Sequence, residues 1–113
     1  MIPASVRIFV CTRPHDMRCS YDTLALAAQQ VLGQDPRSGA LFVFTNKRHN
    51  RLKVLWWDRN GYCLLSKRLH QALFRLPAPP GSSDSSVSID GRGLAELLHG
   101  VATARTTGAQ FRS

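Results

Sequence analysis

Acidic side chains are scarce in this 113-residue chain: seven Asp and Glu together, Glu96 being the single Glu, against fifteen Lys and Arg. A metal-dependent nuclease or transposase centre needs several convergent carboxylates. Asp22 fits the first turn of a helix, Asp35 a turn before Pro36, and Asp90 a helix cap, while Glu96 falls in a weak helix. Asp16 and Asp58 are left without a structural reason, too few for such a centre. No catalytic residue is therefore assigned.

Cysteine is also scarce, with three residues and no CxxC pair. An odd count without paired spacing argues against a disulfide framework and for a reducing cytosol. Cys11, His15 and Cys19 are spaced by four, but Pro14 keeps the first two off one helix, and a zinc site would show paired spacing. No metal and no other cofactor is expected; GxxxxGK[ST] and GxGxxG phosphate loops are both missing. No run approaches the roughly 18 apolar residues of a membrane helix, and the start lacks the basic and apolar regions of an export signal. A cytoplasmic protein without membrane contact is the expectation.

What is present is positive charge. The net charge is +8, and it resides in residues 1–80, residues 81–113 being neutral in sum. A compact basic domain suits a polyanionic partner, nucleic acid first and an anionic membrane second. The charge gathers in residues 40–69, which hold Lys47, Arg48, Arg51, Lys53, Arg59, Lys67 and Arg68 beside one acid, Asp58, and both tryptophans, Trp56 and Trp57.

Residues 41–45 form an unbroken β-branched and aromatic run, as in a strand covered on both faces. Residues 46–50 read as a loop, 51–58 as a strand, and 62–69 as another. Asn60-Gly61 between them is a type I′ hairpin signal. With those two residues at the tip, Trp57 opposes Leu64 and Lys53 opposes Arg68. Alternation then groups Leu52, Val54, Trp56, Cys63 and Leu65 on a core face, intruded on by Lys67. The other face carries Arg51, Lys53, Leu55, Trp57, Leu64, Ser66 and Arg68. Like charges directly opposite destabilise a sheet, so an anion between Lys53 and Arg68 is one reading; two side chains splayed into water is the other.

Elsewhere, residues 6–11 read as a strand. Tyr21, Leu24, Ala28, Val31 and Leu32 recur at helical spacing, Ser20 or Asp16 can cap that helix, and Gly33 stops it. Residues 72–76 suit a short strand, and Ser88 or Asp90 caps a short helix bearing Leu94, Leu97 and Leu98. The fold class is α+β: a small, largely antiparallel sheet of four to five strands, one packed helix and a short C-terminal helix. Residues 1–101 make one domain, with a flexible linker at 77–86; residues 102–113 form a disordered tail.

Asp16-Met17-Arg18, Tyr21-Asp22 with Leu24, Asp35-Pro36 with Ser38-Gly39, LFVF at 41–44, RLKVLWWD at 51–58, Gly61 and KRL at 67–69 together closely resemble one family. It is the small accessory protein TnpB, or second open reading frame, of the insertion-sequence-66 group of bacterial transposons. The resemblance covers roughly residues 2–101. It implies a protein encoded beside a separate, larger transposase and needed for movement of the element, with DNA binding as the activity usually suggested. The chain departs from the family pattern at Cys19-Ser20, where Lys-Gly is usual, at His49, near which Gly is usual, and at His70, where Glu is usual.

The residues and the resemblance together point to a non-catalytic accessory factor that binds DNA, the transposon ends being the suspected target. Candidate contacts are Arg18, Lys47, Arg48, Arg51, Lys53, Lys67 and Arg68, with Trp57 as a ring that could stack on a base or sugar. Two alternatives stand beside it: a subunit that docks on the transposase, and a small metal-dependent nuclease.

Overall fold

The computed structural model describes residues 6–78, 81 and 84–103. Seven strands and two helices follow in the order β1 (Ile8–Cys11), α1 (Tyr21–Gln30), β2 (Leu41–Thr45), β3 (Arg51–Asp58), β4 (Gly61–Arg68), β5 (Ala72–Leu73), β6 (Ser86–Ile89), α2 (Gly91–His99) and β7 (Val101–Ala102). The main sheet has five strands in the order β4-β3-β2-β1-β6. Only β1 and β2 pair in parallel, joined by α1 as the crossover such a pair requires; the other neighbours are antiparallel. β5 and β7 form a separate two-stranded ribbon. This is the α+β architecture expected from the sequence.

The sheet is covered on both sides. Leu24, Ala25, Ala27, Ala28 and Leu32 of the α1 segment pack on Cys11, Phe42, Phe44 and Leu55. The helix's small alanines let its backbone approach the two phenylalanines closely. On the other face Leu94 and Leu97 of α2 pack with Phe74 on Ile8, Val10, Val43, Leu52 and Val54. β2, buried on both sides, is the unbroken apolar run of the sequence. The face read as cationic is thus covered by α1 in its middle, at Leu55 and Leu64, where Leu55 is fully buried, and is left open at the Arg51 and Arg68 end. Trp56, assigned to the core face, is half-buried against the α2 cluster.

The hairpin register differs from the sequence expectation by two residues. β3 ends at Asp58, opposite Gly61, so the two-residue turn is Arg59-Asn60 and not Asn60-Gly61. Arg59 takes the left-handed conformation, with φ 58°. This register sets Trp57 opposite Tyr62, Leu55 opposite Leu64 and Val54 opposite Leu65. The Trp57 and Tyr62 rings meet edge to face at 4.9 Å, a pairing worth more than Trp57 against an aliphatic side chain. Lys53 consequently opposes Ser66, and the like-charge pair across the strands is Arg51 with Arg68. A slip of two leaves each residue on its assigned face.

Local signals close the elements. Gly33 has φ 66° and ends α1, with the Gln34 amide donating to the Ala28 carbonyl at 3.0 Å. Ser20 occupies the N-cap of α1 without a side-chain cap bond, whereas Asp90 caps α2 by accepting from the Gly93 amide at 2.8 Å. Of the stretch 77–86, residues 79, 80, 82 and 83 lie outside the described residues, while Asp84 and Ser85 accept hydrogen bonds from Thr12 at 2.9 Å each. Of the tail 102–113, Ala102 is in β7 and residues 104–113 lie outside the described residues.

Candidate nucleic-acid interface

At the end of the sheet where β3 begins and β4 ends, two loops converge. The first, residues 46–50, is closed by one side chain. Asn46 Oδ1 accepts from the amides of Asn50 at 3.1 Å and Arg51 at 3.0 Å, and its Nδ2 donates to Asn50 Oδ1 at 2.7 Å. Lys47 and Arg48 are carried, exposed, on this small ring. His49 completes it with φ 61°, a conformation in which glycine is favoured, so it stands in strain where the family resemblance leads one to expect Gly nearby.

The second loop runs from Pro14 to Cys19. The His15 amide donates to the carbonyl of Thr45 at 2.8 Å, which fastens the loop to the end of β2. Asp16 accepts from the Arg18 amide at 2.9 Å and from its guanidinium at 2.7–3.1 Å. The Arg18 guanidinium beside Asp16 lowers that carboxyl from an ordinary 3.8 to about 2. The Arg18 side chain is nevertheless 89% exposed.

Between the loops lies a cleft of about 620 Å³, lined by residues that include His15, Asp16, Met17, Arg18, Lys47, Arg48 and Arg51. A second cleft of about 340 Å³ shares Met17 and Arg51 with it and is completed by Lys53, Ser66, Lys67 and Arg68. The two adjoin at Met17 and Arg51 as one groove, and their linings include seven of the eight residues singled out from the sequence, although the Lys67 side chain is directed to the opposite face.

Those seven are not equivalent. Lys47, Arg48, Arg51 and Arg68 are exposed and have no ion-pair partner among the described residues. Lys53 is half-buried, and its Nζ donates to the carbonyl of Cys19 at 2.7 Å. Lys67 points to the α2 side, where its Nζ donates to the carbonyl of Leu98 at 2.6 Å; an ammonium there complements the negative end of the helix dipole. This explains why a lysine intrudes on an apolar face.

Trp57 is not part of the groove. It lies six residues along β3 from Arg51, about 20 Å away. The Arg37 guanidinium sits over its ring at 4.6 Å and Tyr62 meets it at the edge. The sequence signal missed the Asn46–Asn50 clamp and the contributions of His15 and Met17; two asparagines bracketing a short polar loop were the available clue.

Neither a carboxylate cluster nor a thiol centre assembles in the groove. Asp16, engaged by Arg18, is the one carboxylate lining it. Asp58 lies at the other end of β3. Cys11 is buried, its thiol directed to the Arg13 carbonyl at 3.5 Å and 3.8 Å from His15 Nδ1, and burial raises its pKa. Among the described residues no group of three His, Cys, Asp or Glu side chains is placed to hold a metal ion. No helix of the described residues is long and apolar enough to cross a membrane.

A small α+β chain with a cationic groove, carrying the motif set quoted above, belongs with the accessory proteins of insertion sequences. The chain is a member of the IS66 Orf2 like protein family, whose model matches residues 6–108. The match runs beyond Val101 into the stretch set outside the resemblance. The uncharacterized protein y4hO of Sinorhizobium fredii (strain NBRC 101917 / NGR234) is 39% identical over 103 residues, covering 89% of this chain and 87% of that protein. The uncharacterized protein y4jC of the same strain is 38% identical over 72 residues, 64% of this chain and 62% of its own length. No solved structure matches.

Proposed function

We propose that this insertion-sequence accessory protein is a non-catalytic DNA-binding factor that holds backbone phosphates in the groove between residues 14–19, the 46–50 loop and the adjoining ends of β3 and β4. The observation that carries this reading is the gathering of Arg18, Lys47, Arg48, Arg51 and Arg68 around one groove, all five exposed, from three separate parts of the chain. Strand pairing sets Arg51 directly opposite Arg68, an arrangement unfavourable on its own and relieved by an anion between them.

Each phosphate neutralised releases counterions, so affinity falls steeply with salt, by roughly 0.9 in log–log slope per contact on duplex DNA. Lys53 serves this interface by fastening residues 14–19 to β3, Lys67 is engaged by α2 on the opposite face, and Trp57 is left outside the groove. The transposon ends are the proposed target, with the element's separate transposase as the partner in whose reaction the bound DNA is used. The test is a fluorescence-anisotropy titration with labelled DNA at several salt concentrations. A steep salt dependence and competition by unlabelled DNA are expected; a chain that binds no DNA at low salt overturns the reading.

A further inference from the structure

β4 is an open edge of the main sheet. It pairs with β3 along all eight of its residues without a bulge, it contains no proline, and among the described residues no strand pairs with its other side. Such an edge presents unpaired N–H and C=O groups to any strand that fits, and monomeric proteins usually shorten, bulge, charge or cover it; β4 is charged only at its last two residues, Lys67 and Arg68. The opposite edge, β6, has four residues.

Leu65 lies in the middle of β4 and is 41% exposed. It also borders an apolar groove of about 580 Å³ that Val54, Trp56, Leu94 and Leu98 line beneath α2. Leu65 therefore leaves that groove open toward the sheet edge. The charges of β4 are unevenly placed: Lys67 and Arg68 lie at its C-terminal end, and Tyr62, backed by Trp57, lies at its N-terminal end. A parallel neighbour of the same sequence would set cation against cation. An antiparallel one sets the cationic end against the aromatic end, where a guanidinium over a ring is favourable.

We infer that β4 pairs antiparallel with β4 of a second copy of this chain, about a two-fold axis at Leu65, so that the two sheets become one. A two-fold axis normal to a sheet keeps each face on its own side, and paired residues must then share a face. Centring the axis on the exposed Leu65 satisfies this. Leu65 meets the partner's Leu65 on the α2 side and closes both apolar grooves. Arg68 meets the partner's Tyr62 on the α1 side, and Lys67 lies opposite the partner's Cys63, beside the partner's Trp56.

The two Arg51–Arg68 pairs then lie on one face of the joined sheet, with the Arg68 positions about 20 Å apart along the strands. That consequence matters for DNA only if the nucleic-acid reading holds; the pairing does not depend on it.

Sedimentation equilibrium on the full chain, from low to high micromolar concentration, tests the assembly. The expected mass rises from 12.6 kDa toward twice that value. Leu65→Lys should hold the mass at that of one chain, with an unchanged circular-dichroism spectrum and melt showing that the fold survives. In a Cys19→Ser, Cys63→Ala background, Leu65→Cys should form a covalent dimer under mild oxidation and Leu64→Cys should not. A wild-type chain that remains at one-chain mass, a Leu65→Lys variant that still dimerises, or cross-linking through Leu64→Cys in place of Leu65→Cys would each overturn the proposal. So would a wild-type chain that gains mass only with a different protein.

Discussion

The Nζ of Lys53 donates to the carbonyl of Cys19 at 2.7 Å, joining β3 to the residue just before the α1 N-cap across 34 positions of sequence. The bond holds the loop bearing Arg18 against the strand bearing Arg51. Lys53→Met keeps the apolar stem and removes the donor, leaving the Cys19 carbonyl to find water. The expected loss is about 1–3 kcal/mol, read as a lower urea midpoint at unchanged slope. An unchanged midpoint would show that the bond adds nothing to the fold.

Leu55 should matter more to stability than the neighbouring Trp56. Leu55 is fully buried between the sheet and α1, beside Phe42 across the strands. Trp56 is half-buried at the rim of the α2 groove. Leu55→Ala is expected to cost about 2–5 kcal/mol, the range for a Leu→Ala cavity in a packed core. Trp56→Ala should cost less, since part of its ring is already in water. Parallel urea melts check the order, and a larger loss for Trp56→Ala would mean the rim is better packed than its exposure indicates.

Leu55 and Lys53 also show what can be read from residues alone. Alternation along β3 placed both on one face correctly, and turn chemistry located the hairpin, because both signals are local. Alternation does not say which element covers a face, so α1 lying over Leu55 was not legible. The register was missed because Asn60-Gly61 is the stronger isolated turn signal. The Trp57–Tyr62 contact favours the slipped pairing and Arg59 accommodates the positive φ. Lys47, Arg48 and Arg51 are legible as a group because they flank one short loop, whereas Arg18 sits on a separate loop that no local pattern places beside them, and its pairing with Asp16 is a local contact. The tethers of Lys53 and Lys67 join segments 34 and 31 residues apart, which no local pattern encodes.

In the proposed interface Asp16 would compete with phosphate for Arg18, with which it forms an ion pair at 2.7 Å. Its carboxyl sits at about 2 because the Arg18 guanidinium and amide hydrogen-bond to it. A carboxyl depressed in the folded chain contributes whatever stability it has above the ordinary carboxylate range, and that contribution fades as pH falls toward about 2. Exposure keeps it small, so the clearer readout is binding. Asp16→Asn should strengthen DNA binding by about two- to fivefold at low salt, with little change in the melt. A carboxyl NMR titration should show the Asp16 midpoint returning toward 3.8 in Arg18→Ala. Weaker binding by Asp16→Asn would mean that the pair positions Arg18 for the ligand.

The pair Arg51 and Arg68 carries the sharpest test of the groove. They oppose each other across β3 and β4, both exposed, with Lys53 and Ser66 as the next pair on the same face. If phosphate lies between them, each contributes about one unit to the salt slope of binding. Arg51→Ala with Arg68→Ala should therefore weaken binding at moderate salt and lower the slope by roughly two. The same double variant removes a like-charge pair, so its melt should be unchanged or slightly raised. Neither side chain is tethered within the chain as Lys53 and Lys67 are, and sedimentation of the double variant separates lost phosphate contacts from a lost Arg68 contact across the proposed dimer. Trp57→Ala serves as the contrast. It removes the ring under Arg37 and beside Tyr62 and should lower stability while leaving the salt slope alone, because the ring lies far from the groove. Anisotropy titrations at several salt concentrations, each paired with a melt, separate the two effects. A folded double variant with unchanged affinity and slope would take this groove out of DNA binding. A changed slope in Trp57→Ala would move the interface to the other end of the hairpin.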